Sequence, residues 1–369
     1  MLIDYIKDDR HIEDDIFEAI KTSSAPVILW GAGEIAWCVW TYLRSHDIEP
    51  VGICDNNPAK HGTEYLGLPV YSYETLRGKF SLQGGKYNIV IATGPQYKDP
   101  ICEQLKKANE QNPVFYLMGY EVCGEKITYQ YICNHIRLFE EAYFSLSDEF
   151  SKKVFVNIIN AKLSGNFNLC KEIMSEIEYF DHDVVTLKDN EIFMDVGAYK
   201  GNSIVEFVKI TEGKYDGIIA LEPDKKTFAT LQQRLSARGI DNVELHNKGA
   251  WEKHSLLKFH DGREGGSRLL ETSATACPST TIEVDAIDNV LQGRRVTYIS
   301  MDIEGAEHSA ILGAEKTIKK WKPKIAVCCY HRREDLFDLL LLLKSFLPQY
   351  KFYMRHYTDN QTETVLYAI

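Results

Sequence analysis

The chain has 369 residues, enough for two domains that each bury a core, and its 44% hydrophobic and 26% charged residues are ordinary for a globular protein in water. Its 42 basic against 53 acidic side chains give a net charge of -11, which excludes a broad basic footprint for nucleic acid but not a local basic groove. The nine cysteines are odd in number and contain no C-x-x-C pair, so a reducing compartment suits them better than a disulfide framework or a zinc site.

The first residues, MLIDYIKDDR, lack a basic start followed by an apolar core, so no signal peptide is expected. The apolar block at 339–343 is far too short to span a membrane. A cytoplasmic protein with no membrane span and no nucleic-acid partner is expected, and the sequence leaves a homo-oligomer open.

An acidic amphipathic segment over residues 3–22 leads into a strand, a tight turn and a helix at 26–36. Gly31, Gly33 and Ala36 fill the three small positions of a dinucleotide fingerprint. Asp55 ends the next strand, 24 residues after Gly31. Strands at 69–71, 88–92 and 114–117 and a helix at 97–109 complete a Rossmann-like half, assigned to residues 1–119. This region resembles the small nucleotide-binding domains that precede some sugar-modifying transferases. The resemblance implies a nucleotide or nucleotide-sugar at Gly31, Gly33 and Asp55. The residues themselves also fit a turn with no ligand, or a redox nicotinamide.

Strand alternation then stops. Apolar residues at Ile136, Phe139, Tyr143 and Phe144, then Phe150, Val154, Phe155 and Ile158, recur at helical spacing, so residues 120–181 read as a helical connector. Its last aromatic pair, Tyr179 and Phe180, fits a core position better than a ligand contact.

Residues 192–203 carry the strongest signal in the chain. An apolar run ends in Asp195 and Gly197, and Gly201 then opens a helical pattern. Two glycines let the backbone approach a ligand that a Cβ would exclude. The turn lacks the glycine pattern that holds a pyrophosphate, and an acid before the first glycine suits a ligand with a cationic amino-acid end, such as S-adenosylmethionine. Glu222 ends the next strand, 27 residues after Asp195, where a carboxylate can accept from both hydroxyls of a ribose.

Beyond it, the strand at 243–246 presents Lys248, Gly249, Ala250 and Trp251. A polar insert at 261–279 includes Arg268, which reads either as a solvated loop or as a holder of an anionic acceptor. Asp285 fits a residue that orients the neighbouring helix. The strand at 297–301 delivers Asp302 and Glu304 to the carboxyl edge of the sheet, where doubly wound folds bind ligands. The strand at 324–329 ends at Tyr330 and His331, and the strand at 351–354 ends at Arg355 and His356. The run at 363–369 reads as an antiparallel strand paired with 352–356. Two acids and water could hold magnesium or calcium, but no further acid or Asn completes a shell, so no metal is expected.

The chain resembles the FkbM family of S-adenosylmethionine-dependent methyltransferases. The resemblance rests on residues 193–201, on Leu221-Glu222-Pro223-Asp224, on Met301-Asp302-Ile303-Glu304-Gly305-Ala306-Glu307, and on Tyr330-His331 followed by Arg355-His356-Tyr357. Together with the first region, the expected fold is an α/β protein of two Rossmann-like doubly wound domains joined by the helical segment. The second, at 182–369, would hold a class I methyltransferase sheet of seven strands. For the cofactor the resemblance implies Asp195, Gly197, Ala198, Tyr199, Gly201, Asn202, Ser203, Glu222, Lys248, Gly249, Ala250 and Asp302. His331 and Asp302 are the expected catalytic pair, with His331 as general base, because histidine accepts a proton near neutral pH. Glu304, Arg268, Arg355 and His356 are expected to hold a small-molecule or glycan acceptor whose hydroxyl is methylated. Two other classes stay open: a nucleotide-sugar oxidoreductase or isomerase working in residues 26–118, and a non-catalytic interaction protein that keeps the fold.

Overall fold

The computed structural model describes residues 1–7, 10–81, 85–117, 126–260 and 279–369. The chain divides into two compact units, Asp9–Val122 and a larger one made of Met1–Asp8 with Cys123–Ile369. No helix among the described residues is long and apolar enough to cross a membrane.

The smaller unit is a sheet of strands β1 (Val27–Trp30), β2 (Pro50–Cys54), β3 (Glu64–Tyr65), β4 (Leu68–Tyr71), β5 (Asn88–Ile91) and β6 (Val114–Tyr116), ordered β3-β4-β2-β1-β5-β6. All neighbours are parallel except the short β3–β4 pair. β1 and β5 are buried along their whole length, as strands covered on both faces must be. The turn after β1 is held from inside the unit. The Asp55 carboxylate accepts from the Ala32 N–H at 2.7 Å, the Asn57 N–H at 2.8 Å and Lys60 Nζ at 3.2 Å. Gly31 has φ +117°, and a Cβ there would lie 2.5 Å from Thr93 Cγ2 and 2.8 Å from the Ala92 carbonyl oxygen. Gly31 and Asp55 are thus explained by strand-end packing and turn closure, contacts that lend no support to a nucleotide there.

In the larger unit, β7 (Ile192–Val196), β8 (Gly217–Leu221), β9 (Val243–His246), β13 (Tyr298–Met301), β14 (Lys324–Cys328), β15 (Phe352–His356) and β16 (Thr364–Ala368) form one sheet in the order β15-β16-β14-β13-β7-β8-β9. Only β16 runs antiparallel to its neighbours, and it pairs Thr364 with His356 and Ala368 with Phe352. This is the seven-stranded, mostly parallel sheet expected above for residues 182–369. A second small sheet, unforeseen as a unit, joins β10 (Gly249–Ala250), β11 (Ser255–His260) and β12 (Ser279–Asp285). β11 escaped the sequence reading because its exposed Leu256 and Lys258 blur the alternation.

Two segments group differently from a simple head-to-tail reading. Residues 1–7 pack in the larger unit: Leu2 is fully buried, and its N–H donates to Glu140 Oε1 at 2.9 Å. The helices at Ile136–Ser145 and Glu149–Ser164 also belong to that unit, and Leu146 and Met174 bridge to Phe352 and His356 of β15. Beneath the turn after β7, Phe193 stacks on Phe207 with centroids 4.6 Å apart, and Phe180 and Tyr298 each lie near 5.6 Å from Phe193. Such pairs add about 0.5–1.5 kcal/mol each beyond area burial and fix the angle at which the helix leaves the turn.

Gly31→Ala should destabilise the smaller unit by about 2–4 kcal/mol, because both backbone conformation and space are wrong for a Cβ. At Gly33, where nothing lies within 4 Å of the Cβ position, Ala should cost under about 1 kcal/mol. Thermal unfolding of the two variants separates these outcomes.

Candidate active site

The chain leaves β7 through Asp195 and turns at residues 197–201 into the helix Asn202–Ile210. Gly197 has φ +89°, and a Cβ there would lie 1.9 Å from the Asp302 carbonyl oxygen at the end of β13. Gly201 faces the core, against Leu231. Asp195 is buried at 4% exposure; Oδ1 accepts from Ser300 Oγ at 2.7 Å and Oδ2 from Ser203 Oγ. Burial raises its pKa, and the two hydroxyls oppose that shift.

Glu222 stands just past β8. Its Oε2 accepts from the Tyr199 N–H at 3.0 Å and Oε1 from the Asp224 N–H at 2.8 Å. A carboxylate has about four acceptor sites, so each oxygen keeps capacity for a ligand hydroxyl. Burial lifts its pKa to about 7; the two backbone donors resist, and Asp224 and Asp195 add to the rise.

Two neighbouring cavities meet at this turn. One of about 280 Å³ is lined by Glu222, Gly249, Ala250, Ile282 and Glu304, among others. The other, about 590 Å³, takes in Glu178, Asp195, Ala198, Asn202 and Ser203. Gly197, Tyr199, Asp302 and Glu363 line both. The fold thus gathers most residues expected around a cofactor.

Other expected residues lie elsewhere. Lys248 Nζ pairs with Glu283 at 2.8 Å and Asp285 at 3.6 Å and lines neither cavity. Asp285 Oδ1 accepts from the Ala286 N–H and Asn289 Nδ2, both at 2.9 Å, so it is tied to the start of the helix that follows. Arg355, expected to hold the acceptor, is 4% exposed and donates to Asp148 Oδ2 at 2.8 Å and Ser151 Oγ at 2.9 Å. His356 is fully buried with Nδ1 2.9 Å from Thr364 Oγ1, and burial lowers its pKa to about 4. Both serve the β15 edge, since residues at a strand end point to either face by parity. Arg268 lies outside the described residues.

His331 stands behind Asp302 and Glu304 and lines neither cavity. It is fully buried; Nε2 lies 3.4 Å from Asp302 Oδ1 and 3.5 Å from Glu304 Oε2, and Nδ1 lies 3.0 Å from Glu307 Oε1. Glu307 Oε1 also accepts the Ile303 N–H at 2.9 Å. Burial opposes charge on the imidazole, yet Glu307, Glu304 and Asp302 together raise its pKa well above the usual value. Burial likewise raises Asp302, with His331 opposing.

Several site residues carried no readable role in the sequence. Tyr179, expected in the core, donates from its hydroxyl to Asp302 Oδ2 at 3.4 Å. Glu178 and Glu363 lie together, and burial with Glu178 raises Glu363 well above the usual carboxyl range. Glu363 merely precedes the last strand in sequence, and only the sheet order brings it to the cleft. Tyr179, Tyr199, Glu304 and Glu363 all have positive φ, from +46° to +62°, and all line the cavities. Strained backbone of this kind concentrates at functional sites.

Residues 195–354 match the family described as the methyltransferase FkbM domain. A protein named Methyltransferase 1, from Beauveria bassiana, is 27% identical over a stretch covering 46% of this chain and 74% of that protein. The solved structure of methyltransferase FkbM from Methylobacillus flagellatus KT is similar with a TM-score of 0.66 and 23% identity, covering 96% of this chain and 93% of that one. At that identity the likeness shows a common fold along almost the whole chain. Residues 195–354, within the larger unit, are thus similar in sequence to the methyltransferase FkbM domain.

Gly197→Ala should cost about 2–5 kcal/mol, adding the left-handed penalty to overpacking against Asp302. Arg355→Ala should lower stability by about 1–3 kcal/mol by removing a buried guanidinium and its bonds to Asp148 and Ser151, while the folded fraction keeps its ligand binding. Denaturant melts paired with ligand titration test both.

Proposed function

We propose that the chain is an S-adenosylmethionine-dependent methyltransferase that methylates a hydroxyl oxygen of a sugar, glycan or natural product. The observation that carries this reading is the convergence of Asp195, Glu222 and Asp302 on one cleft around Gly197, whose Cα is bare where a ligand must pass close. The residues fit the cofactor. Glu222 suits two ribose hydroxyls, and the acid-lined larger cavity suits an ammonium and a sulfonium.

Bound there, S-adenosylmethionine supplies an electrophilic methyl carbon. The acceptor oxygen attacks that carbon in line, and the protein's work is alignment and removal of one proton. Asp302, which faces both cavities, takes the proton. His331, expected to be the base itself, lines neither cavity and is screened from the cleft by Asp302 and Glu304; it holds Asp302 in place. Glu304, on the wall of the smaller cavity, receives acceptor hydroxyls.

Calorimetric titration with S-adenosylmethionine should show one saturable site, lost in Asp195→Ala and weakened in Glu222→Gln. Absence of binding by the wild-type chain would remove the mechanism. Because Glu222 ionises near pH 7, its bonds to hydroxyls are charge-assisted only above that value. Affinity should therefore fall about fivefold from about pH 8 to about pH 6 in the wild type and stay flat in Glu222→Gln. A wild-type profile as flat as the variant's would reject Glu222 as the ribose ligand.

A further inference from the structure

The cofactor proposed for the cleft carries an ammonium, and the acid expected to meet it is already occupied. Asp195 is 4% exposed, with one oxygen accepting from Ser300 Oγ at 2.7 Å and the other from Ser203 Oγ. Glu222 is held by two backbone N–H groups on the wall of the smaller cavity. Asp302 lies 3.4 Å from His331 Nε2 and accepts the Tyr179 hydroxyl at 3.4 Å. The larger cavity holds two further acids, and neither of them has such partners.

Glu178 and Glu363 come from distant segments, one ahead of β7 and one ahead of β16, and both line that cavity. One carboxylate oxygen of each lies within 4.8 Å of the other and of Cys328 Sγ. Glu178 Oε1 is shielded from solvent and has no hydrogen-bond partner, and the Tyr330 hydroxyl reaches Glu363 Oε1 at a long 3.5 Å. Behind the pair stands the fully buried Cys328, whose thiol burial keeps neutral. Among the described residues no Lys, Arg or His lines the cavity. An acceptor oxygen left unmet in a buried place is costly, and two carboxylates this close resist ionising together unless a cation joins them. Burial and then Glu178 push Glu363 well above the usual carboxyl range, and burial raises Glu178 as well, so the empty pair keeps a proton at neutral pH. Asp195, Asp302, Tyr179, Tyr330, Cys328 and His331 also act on the pair, and of these the imidazole alone can be cationic.

We propose that Glu178 and Glu363 together seat the ammonium of the cofactor's amino-acid end, and that the pair gives up its proton as the ammonium arrives. An ammonium has three N–H donors, enough to reach both carboxylates at once. The α-amino group, with a pKa near about 8, enters already protonated. The carboxyl O–H bond breaks, the proton passes to solvent, and the fixed cation takes its place between two ionised acids. This inference rests on the S-adenosylmethionine reading and names the side chains that select its charged end. Asp195 keeps its part by holding the turn through Ser203 and Ser300 rather than by meeting the ligand's charge.

The test is calorimetry on the full chain with two thioethers that both lack the sulfonium: S-adenosylhomocysteine, which carries the ammonium, and 5′-methylthioadenosine, which has no amino-acid end. Glu178→Gln should weaken S-adenosylhomocysteine about 10–100-fold and leave 5′-methylthioadenosine within about twofold. Glu363→Gln should do the same and serves where the first variant fails to fold. Glu206→Gln controls for charge alone, because Glu206 lines the same cavity but pairs with Lys209 at 3.0 Å; it should move neither ligand by more than about twofold. Titrations near about pH 6.5 in phosphate and in an amine buffer of higher ionisation enthalpy should show more proton release with S-adenosylhomocysteine than with 5′-methylthioadenosine. Equal release with the two ligands, equal loss of both in the Gln variants, or S-adenosylhomocysteine affinity unchanged in Glu178→Gln and Glu363→Gln overturns this inference and leaves the cofactor standing. A wild-type chain that binds neither S-adenosylmethionine nor either thioether overturns the cofactor reading itself.

Discussion

The site depends on one close approach, that of the Gly197 backbone to the carbonyl of Asp302. β7 and β13 are parallel neighbours with Ser300 beside Asp195 and Met301 beside Val196. The Asp302 N–H donates to the Val196 carbonyl at 3.0 Å, and the Gly197 N–H donates to the Leu221 carbonyl at 3.0 Å. Three strand ends are therefore tied together just where each delivers an acid. Any side chain at position 197 would pry β13 from β7 and take Asp302 out of the cleft.

Bringing so many acids together carries an electrostatic cost, and the fold offsets it locally. Asp195 is met by two hydroxyls and Glu222 by two backbone N–H groups, donors that stabilise a carboxylate without adding a cation to the cavity wall. Asp302 is treated differently. It lies against His331, itself hemmed by Glu304 and Glu307, so the imidazole at the site sits behind the wall rather than on it. Among the described residues no Lys, Arg or His lines either cavity, which leaves the cleft matched to cationic ligand groups.

The two units use similar strand–turn–helix openings to different ends. After β1, Asp55 closes the turn on itself through the Ala32 and Asn57 N–H groups, so its carboxylate is already committed. After β7, the corresponding acid Glu222 likewise receives one N–H on each oxygen but faces an open cavity, whereas Asp55 also takes Lys60 Nζ at 3.2 Å. Glycine spacing and a downstream acid describe both turns equally well. The difference lies in the Lys60 ammonium on Asp55 and in the cavity before Glu222.

Local pattern determined a good deal: the strands, the two glycine turns, and the placing of Asp195, Glu222, Asp302 and His331 at strand ends. Alternation of apolar runs with helical spacing, ended by Gly or an acid, is short-range information that a single stretch of chain carries whole. Tertiary structure decided the rest. It put Arg355 and His356 into buried pairs at the β15 edge and Lys248 into an ion pair with Glu283, and it drew Glu178, Tyr179 and Glu363 into the cleft. It also set His331 behind Asp302, outside both cavities, rather than beside the acceptor. Which face of a strand end meets the cleft, and which distant residue joins it, depends on sheet order and register. Those are settled by contacts between segments more than a hundred residues apart, such as Tyr179 with Asp302.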